Sequence, residues 1–219
     1  MTASFEKEPR NTVRRIPDRG SYDRQTVYDI LDAGFLCHVG FAVDGQPFVI
    51  PTLYGRSNDQ LYIHGAPASR MLKTLADGVP VCLTVAHVDG LVLARSAFHH
   101  SINYRSVVVF GTAMEVSGDE KELGLFVISE QVLKGRWGES RTPTEKELQA
   151  TSVLKLTIDS ASAKVRTGGP KDDEDDYSLP IWAGVVPIHQ TFGPVETDPK
   201  LASGIPVPAS VESLLRHND

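Results

Sequence analysis

The pattern of hydrophobic and polar positions changes its period early in the chain. Val27, Ile30 and Leu31 follow the i, i+3, i+4 spacing that predicts a helix over residues 21–33. From residue 35 onward, β-branched and aromatic residues are dense and short turns interrupt them, which is typical of strands. Asp44-Gly45 and Asp89-Gly90 both fit the hairpin-turn signature, so we predict antiparallel strands on either side of each pair.

The remaining segments complete a mainly β protein. Ser117 with Glu120, and Thr142 with Glu145, are spaced as capping boxes and predict two helix starts. A further helix is predicted over residues 68–76. Strand-like segments lie at 35–43, 47–54, 60–64, 80–88, 91–97, 106–116, 153–158, 162–167 and 179–188. Because some of these nine segments are short, we expect seven or eight strands in all, together with four helices. A doubly wound parallel fold would alternate strands and helices throughout, so we predict an antiparallel β-barrel with helices packed at its ends.

The chain divides by composition into three parts. Residues 1–20 are polar and read as an N-terminal arm, residues 21–190 as one folded domain, and residues 191–219 as a proline-rich tail with a short final helix. Five consecutive acidic residues, 172–176, predict a solvated loop. The N-terminal residues lack the apolar segment of a secretory signal, and no apolar run reaches the ~18 residues of a membrane-spanning helix. We therefore expect a cytoplasmic protein with no membrane partner.

The charge balance excludes one class of partner. The chain has 22 basic and 28 acidic residues, a net charge of -6, and no strongly basic segment. A dedicated nucleic-acid-binding protein would carry a basic face, so we expect no nucleic-acid partner. A small phosphate ligand remains compatible with this charge, because two or three donors are enough to hold it.

The first candidate for chemistry is the segment from residue 63 to residue 73. It ends a strand at His64, passes a small-residue turn and begins a helix with Ser69, Arg70 and Lys73. A hydroxyl and two cations at a helix start suit a phosphate group, and an arginine can hold two phosphate oxygens. The alternative is that Ser69 only caps the helix and that both cations are solvated.

The second candidate is the segment from residue 95 to residue 106, which is rich in hydrogen-bond donors and rings. Such a segment can contact the edge of a flat heteroaromatic ligand, although a simple polar loop is equally compatible with it. The histidines there do not have metal-ligand spacing, and the chain has neither a nucleophile elbow nor a glycine-rich nucleotide loop.

Several short segments, taken in order, resemble the FMN-binding split-barrel family, the pyridoxamine 5′-phosphate oxidase-like proteins. The match is greatest to the branch of flavin-nucleotide-binding and nitroimidazole-resistance proteins. The segments are GFL at 34–36, IPTLY at 50–54, IHGA at 63–66, SRML at 69–72, HSINYRSVV at 100–108, FG at 110–111 and WAGV at 182–185. This resemblance implies a six-stranded antiparallel split barrel and a homodimer with FMN at its interface.

The resemblance also implies site residues. The family pattern places the FMN phosphate against Ser69 and Arg70, with Lys73 as a substitute for a lysine that the family has where Met71 stands here. The backbone at Pro51 and Thr52 would face the flavin ring, and Trp182 would approach it from the partner subunit. The remaining cofactor-binding candidates are His64, Asn103, Tyr104, Arg105 and Ser106.

Function is less determined than fold. We expect an FMN-dependent oxidoreductase that reduces a small organic acceptor with electrons from a nicotinamide or another reductant. A C-terminal Arg-x-His substrate pattern is missing, which argues against oxidation of pyridoxamine phosphate. The alternatives are a non-catalytic flavin-binding module and a haem-binding split barrel, for which the axial-ligand candidates are His64, His99, His100 and His189.

Overall fold

The computed structural model describes residues 3–216 and shows eight strands and five α-helices there. The strands are β1 (Gly20–Ser21), β2 (Leu36–Val43), β3 (Gln46–Ser57), β4 (Gln60–Gly65), β5 (Pro80–Leu93), β6 (Ser101–Val116), β7 (Ser152–Arg166) and β8 (Gly184–Pro187). The helices are α1 (Arg24–Asp32), α2 (Arg70–Ala76), α3 (Gly118–Val132), α4 (Glu145–Gln149) and α5 (Ala209–Arg216).

Six of the strands close into a barrel. Their order is β7-β4-β3-β2-β5-β6, and β6 pairs with β7 to complete the ring. The pairings between these strands are antiparallel. This confirms the predicted six-stranded antiparallel barrel. The short strand β1 adds to β7, and β8 adds to β5.

The barrel core is built from alternate residues of the strands, as the period of two requires. Val39, Leu83 and Val107 point inward and are almost fully buried. Helices α1 and α2 contribute Leu31 and Leu72 to the same core. The hydroxyl of Tyr54 donates a hydrogen bond to the carbonyl of Leu31, which ties α1 to the barrel.

Helix α3 packs on the outside of the barrel. Its Val127 and Ile128 form a second cluster with Tyr62, Val116 and Val153. The packing is close because β3 carries a glycine below the helix. A Cβ atom at Gly55 would lie 2.5 Å from the carbonyl oxygen of Val127, which no larger residue tolerates.

The structure corrects the predicted turn at Asp89-Gly90. The first hairpin is present, with Asp44 and Gly45 both at positive φ between β2 and β3. At Asp89-Gly90, however, β5 continues without a turn and contains only a bulge between Val88 and Gly90. The chain stays extended because β6 on one side and β8 on the other pair with the residues after Gly90.

The two strands predicted at 153–158 and 162–167 are also one strand. Strand β7 runs through both segments, with an irregularity where it faces Phe110 and Gly111 of β6. A Cβ atom at Gly111 would lie 2.1 Å from the carbonyl oxygen of Thr157, so the strands approach each other closely there. The signal that looked like a strand boundary is therefore a bulge within a long strand.

Both predicted capping boxes are wrong in detail. Ser117 is the N-cap of α3, but its side chain makes no capping hydrogen bond, and Glu120 binds Lys155 instead. The second box forms two residues later than predicted, between Thr144 and Glu147.

The predicted solvated loop at 172–176 is anchored at its first residue. The carboxylate of Asp172 is fully buried and accepts hydrogen bonds from the backbone N–H groups of Arg95 and Ser96, at 2.9 and 3.1 Å. The Arg95 guanidinium donates to the same carboxylate at 3.1 Å. The loop therefore fixes the segment between β5 and β6.

The terminal segments pack against the barrel domain. Phe5 is buried in the barrel core, and Asn11 donates a hydrogen bond to the carbonyl of Ala161 at 3.3 Å. At the other end, the backbone N–H of Ser210 in α5 donates to Glu139 at 3.0 Å. The division into arm, domain and tail at residues 20 and 190 stays a prediction. Within residues 3–216, no helix is both long and apolar enough to cross a membrane.

Candidate functional site

The turn between β4 and α2 carries a hydroxyl and two cations that form no side-chain hydrogen bond or ion pair within residues 3–216. Ser69 is the N-cap of α2, but its side chain makes no capping hydrogen bond. Met71, Leu72 and Leu75 bury the inner face of the helix, which leaves Arg70 and Lys73 on its outer face. Met71 is therefore a core residue, which explains why an apolar side chain follows Arg70.

Arg70 is held by an aromatic ring. Its guanidinium lies 4.2 Å from the centre of the Phe48 ring on β3, and no carboxylate in residues 3–216 forms an ion pair with it. A cation–π contact orients the guanidinium without using its N–H donors. Those donors remain available for an anion.

His64 has an unsatisfied ring nitrogen near the end of β4. It pairs in register with Val153, and its Nδ1 atom is buried with no hydrogen-bond partner in the described part of the chain. Burial lowers the pKa of His64 below its ordinary value. The ring is therefore neutral at neutral pH, and a neutral imidazole is the form that ligates metals.

Pro51 and Thr52 lie where β3 has one free edge. β2 pairs along residues 46–53, whereas the register with β4 begins only at Tyr54. Backbone groups on the unpaired edge are therefore open to a ligand, as on any edge strand. The two side chains point to opposite faces, with Pro51 exposed and Thr52 half-buried.

Arg105 and Ser106, at the start of β6, are committed to partners within the chain. The Arg105 guanidinium donates to both carboxylate oxygens of Asp89, at 2.9 and 3.0 Å. Its pKa is raised, mainly by the hydrogen bond to Asp89. The Ser106 hydroxyl donates to the carbonyl of Lys164 at 3.3 Å.

Asn103 and Tyr104 adjoin a buried arginine that the sequence analysis missed. Arg166, the last residue of β7, faces Tyr104 in register and donates a hydrogen bond to the side-chain oxygen of Asn103. The Asn103 amide donates in turn to the carbonyl of Gly168, at 3.1 Å. Only the tertiary pairing of β6 with β7 brings these residues together.

A cavity of about 660 Å³ opens beside Arg105 and Asp89. It contains three histidines from distant parts of the chain, His38, His87 and His189. The Nε2 atom of His87 lies 3.0 Å from the carbonyl oxygen of Ile30. The volume of the cavity is within the usual range for small-molecule sites. Sequence reasoning did not find this cavity because no local motif unites its residues.

Trp182 lies on the surface of the protein. It is 66 % exposed and folds over Gly184, where a Cβ atom would lie 2.9 Å from the indole ring. Strand β8 then attaches this segment to β5. A large exposed aromatic side chain next to a fixed strand is available to a second molecule.

Among the four predicted haem-ligand candidates, the environments differ. His99 Nε2 lies 3.3 Å from a carboxylate oxygen of Asp173, and His100 Nδ1 accepts a hydrogen bond from the backbone of Ala94 at 3.1 Å. His189 is exposed at the cavity, whereas His64 is half-buried. Within residues 3–216, no group of three His, Cys, Asp or Glu side chains is placed to hold a metal ion.

The predicted site residues thus fall into separate groups. Phe48 connects Arg70 to β3, the strand of Pro51 and Thr52. Within the described chain, no hydrogen bond or ion pair links that group to residues 103–106, which contact Asp89, Lys164 and Arg166 instead.

Comparison with known proteins establishes the family. The model of the pyridoxamine 5′-phosphate oxidase family matches residues 23–165, which is more than half of the chain. This protein belongs to the pyridoxamine 5′-phosphate oxidase family. Membership in this family confirms the resemblance found in the sequence, and the barrel described above is the split barrel of the family.

Two solved structures are similar to this family member over nearly its whole length. The flavocytochrome Anf3 from Azotobacter vinelandii is 41% identical with a TM-score of 0.88, and the match covers 94% of this chain and 97% of that one. The FAD and heme binding protein from Mycobacterium smegmatis is 39% identical with a TM-score of 0.86, covering 90% and 97%.

A structure assigned to the 5-nitroimidazole antibiotic resistance proteins, from Bacteroides thetaiotaomicron, shares the fold only. It is 24% identical with a TM-score of 0.56, and the match covers 67% of this chain and 86% of that one. No match was found among curated proteins.

Proposed function

We propose that this protein binds a flavin nucleotide and acts as an FMN-dependent oxidoreductase. It would reduce a small organic acceptor with electrons from a nicotinamide or another reductant. The observation that carries the proposal is the similarity to a flavocytochrome and to an FAD- and haem-binding protein, at 41% and 39% identity over at least 90% of this chain.

The turn after β4 fits the flavin phosphate. Ser69 offers an uncommitted hydroxyl, and Arg70 offers a guanidinium held in place by Phe48. An arginine beside a hydroxyl is a common phosphate-binding pair, because the guanidinium can donate to two oxygens at once. Lys73 lies one turn further along the same exposed face and adds positive charge.

The free edge of β3 fits the flavin ring. A flavin ring presents hydrogen-bond donors and acceptors along one edge, and the free edge of β3 beside Thr52 offers it the carbonyl of Pro51, which has no N–H, as an acceptor. When bound, the flavin supplies the electron-transfer chemistry itself. The protein then needs no acid–base dyad, and its role is to bind and orient the flavin and to exclude water.

The first experiment is an absorption spectrum of the purified protein, followed by chromatography of the cofactor released on denaturation. We expect about one flavin per chain, and the chromatography identifies it as FMN, FAD or a deazaflavin. A colourless protein that also fails to bind added FMN or FAD would refute the proposal.

Catalysis is tested separately from binding. The flavin-loaded protein is reduced anaerobically with NADH, NADPH or dithionite and then mixed with a panel of quinones, nitro compounds and oxygen. Turnover with any pair supports an oxidoreductase. A protein that holds flavin but shows no turnover with any pair is the non-catalytic flavin-binding module.

A haem group is the second candidate cofactor, and it is compatible with bound flavin. Both similar structures are named for haem or cytochrome content, and His64 has a buried Nδ1 atom without a partner. Since burial also keeps this imidazole neutral, His64 is the candidate that fits an axial ligand best. A haem group would supply one-electron transfer.

Haem binding predicts a Soret band in the purified protein or after addition of haemin. His64→Ala should abolish or shift that band, whereas His99→Ala, whose partner is Asp173, should leave it unchanged. A Soret band that survives His64→Ala unchanged would place the ligand elsewhere, and its absence in the wild type would remove haem from the proposal.

The family resemblance also implies a homodimer, and the outer face of the barrel supports this. Leu36 and Leu53 are opposite each other on β2 and β3, and both are exposed, as are Val49 and Val88 on the same face. Exposed aliphatic side chains grouped on one sheet face favour association with a second copy. A cytoplasmic location and a small-molecule substrate remain part of this proposal.

A further inference from the structure

Arg166 is a buried cation with neutral partners. It is only 6% exposed, and its guanidinium donates to the side-chain oxygen of Asn103 and to the carbonyls of Gly168 and Gly169, at 3.2 and 3.1 Å. Its Nε atom is buried and has no hydrogen-bond partner among residues 3–216. Buried arginines ordinarily have a carboxylate to compensate their charge.

The surroundings of Arg166 add positive charge. Within residues 3–216, no carboxylate forms an ion pair with Arg166. Arg19 directly precedes Gly20, which pairs with Lys164 two residues before Arg166 on β7, and burial together with the charge of Arg19 lowers the pKa of Arg166. Lys164 precedes Arg166 by two residues, on the same face of β7, and pairs in register with Gly20 of β1. Three cations therefore gather at this end of the barrel, in a chain whose net charge is -6.

The chain fixes the position of Arg19 independently of any ligand. A single 3-10 turn over Pro17–Arg19 precedes β1, and the backbone N–H of Arg19 donates to the carbonyl of Ile16 at 3.1 Å. Strand β1 then pairs with β7. Like charges held close together by the backbone are unfavourable unless an anion lies between them.

We propose that Arg166 and Arg19, with Asn103 and Tyr104 beside them, form a second anion site that receives a phosphate group of a small molecule. Two guanidinium groups match the charge and the several oxygens of a phosphate. Gly168 and Gly169, whose carbonyls now accept from Arg166, have open space around them, and a bidentate ion pair with a phosphate is stronger than these bonds to neutral carbonyls.

The position of the site argues that this molecule is not the flavin of the same chain. Gly65, just before the Ser69 turn, pairs with Ser152 at the first residue of β7, whereas Arg166 is the last residue of that strand. The two ends of a strand of 15 residues are tens of ångströms apart. The inference rests on the proposed function in one respect, namely that an oxidoreductase uses a second ligand besides its flavin. That ligand is a nicotinamide dinucleotide or a phosphorylated acceptor, which share the phosphate group.

The test uses calorimetric titration of the purified protein, with its cofactor in place, by inorganic pyrophosphate, NADH and NADPH. We expect at least one of them to bind. Arg19→Gln should weaken this binding about tenfold or more, because it removes a charged hydrogen-bond donor. Arg141→Gln, at an exposed arginine paired with Glu147 in front of α4, is the matched control and should bind as the wild type does.

The outcomes separate the two possible sources. Binding of NADH or NADPH that depends on Arg19 identifies the nicotinamide reductant, whereas binding of pyrophosphate alone indicates a phosphorylated acceptor. Arg166→Lys provides a second variant that retains the buried charge, and it should bind more weakly than the wild type because a lysine cannot form the bidentate contact.

The inference is overturned if none of the three probes binds, or if Arg19→Gln binds them as tightly as the wild type. Flavin content distinguishes this failure from failure of the proposed function. A yellow protein that does not bind any of the probes rejects only the second anion site, and a protein without flavin rejects the first proposal.

Discussion

Replacement of Arg70 by alanine is the most direct test of the phosphate site. The substitution removes an exposed guanidinium that lies 4.2 Å from the Phe48 ring and has no carboxylate partner in the described chain. Because no internal ion pair is lost, the fold should be unaffected. The change in cofactor affinity then reports on the contact with the ligand alone.

The expected magnitude follows from the kind of bond that is lost. Hydrogen bonds to charged groups contribute about 1.5–3 kcal/mol. Arg70 is solvent-exposed, and solvent screens such contacts, so we expect the lower part of that range, roughly 1.5–2 kcal/mol. This corresponds to a dissociation constant about 10- to 30-fold higher than that of the wild type.

The assay is a titration of flavin-free protein with FMN, in which binding is measured from the quenching of flavin fluorescence. Arg70→Lys should give an intermediate affinity because it keeps the charge but loses the bidentate geometry. Phe48→Leu should have a smaller effect, since it removes only the ring that orients the guanidinium. Arg141→Ala serves as the control at an exposed arginine whose partner is Glu147.

A dissociation constant of Arg70→Ala within twofold of the wild-type value would refute the reasoning. It would mean that the phosphate lies elsewhere and that Arg70 is a solvated surface residue. The same result with FAD as the titrant would extend this conclusion to the larger flavin.

Four further predictions concern other parts of the molecule. Trp182→Ala should weaken flavin binding by about 0.5–1.5 kcal/mol if the indole of the second subunit covers the ring, and unchanged affinity in a normal dimer would show that it does not. Leu53→Asp should shift the mass measured by light scattering from dimer to monomer, whereas Leu123→Asp, at an exposed leucine of α3, should not; equal masses for both variants would exclude this face as the interface. The lowered pKa of His64 means that the unfolded state binds a proton more readily than the folded state. The apo protein should therefore lose stability as pH falls below about 6.5, and His64→Gln should show a weaker pH dependence of its melting temperature; parallel curves would contradict this. Gly111→Ala should cost roughly 1–3 kcal/mol in chemical denaturation, because the new Cβ meets the Thr157 carbonyl, while Gly138→Ala in open space should be neutral.

The features that sequence reasoning predicted correctly are those set by local chemistry. Asp44-Gly45 makes a hairpin because both residues accept positive φ, and the period of three to four residues at Val27, Ile30 and Leu31 produces α1. The group of Ser69, Arg70 and Lys73 is local as well, since all three residues lie within five consecutive positions at one turn. These positions need no distant partner to be recognised.

The wrong predictions share a different cause. Asp89-Gly90 has the same local signature as Asp44-Gly45. Strand β5 nevertheless continues through it, because β6 pairs with the residues before and after it, and Arg105 donates hydrogen bonds to the Asp89 carboxylate. In the sequence, Asp172 looks like one of five solvated acidic residues. In the structure, its carboxylate accepts hydrogen bonds from backbone N–H groups 76 and 77 positions earlier. In each case a partner far away in the sequence decided between two local possibilities.

The sequence by itself therefore determined the barrel, its family and the turn proposed to hold the flavin phosphate, because periodicity, turn residues and short motifs act over a few residues. Only the tertiary structure decided which polar groups remain without partners. The orphaned nitrogen of His64, the pairing of Arg105 with Asp89 and the uncompensated charge of Arg166 arise where separate strands meet. Desolvation and charge compensation depend on everything that surrounds a group in space, and neighbours along the chain are only part of that surrounding.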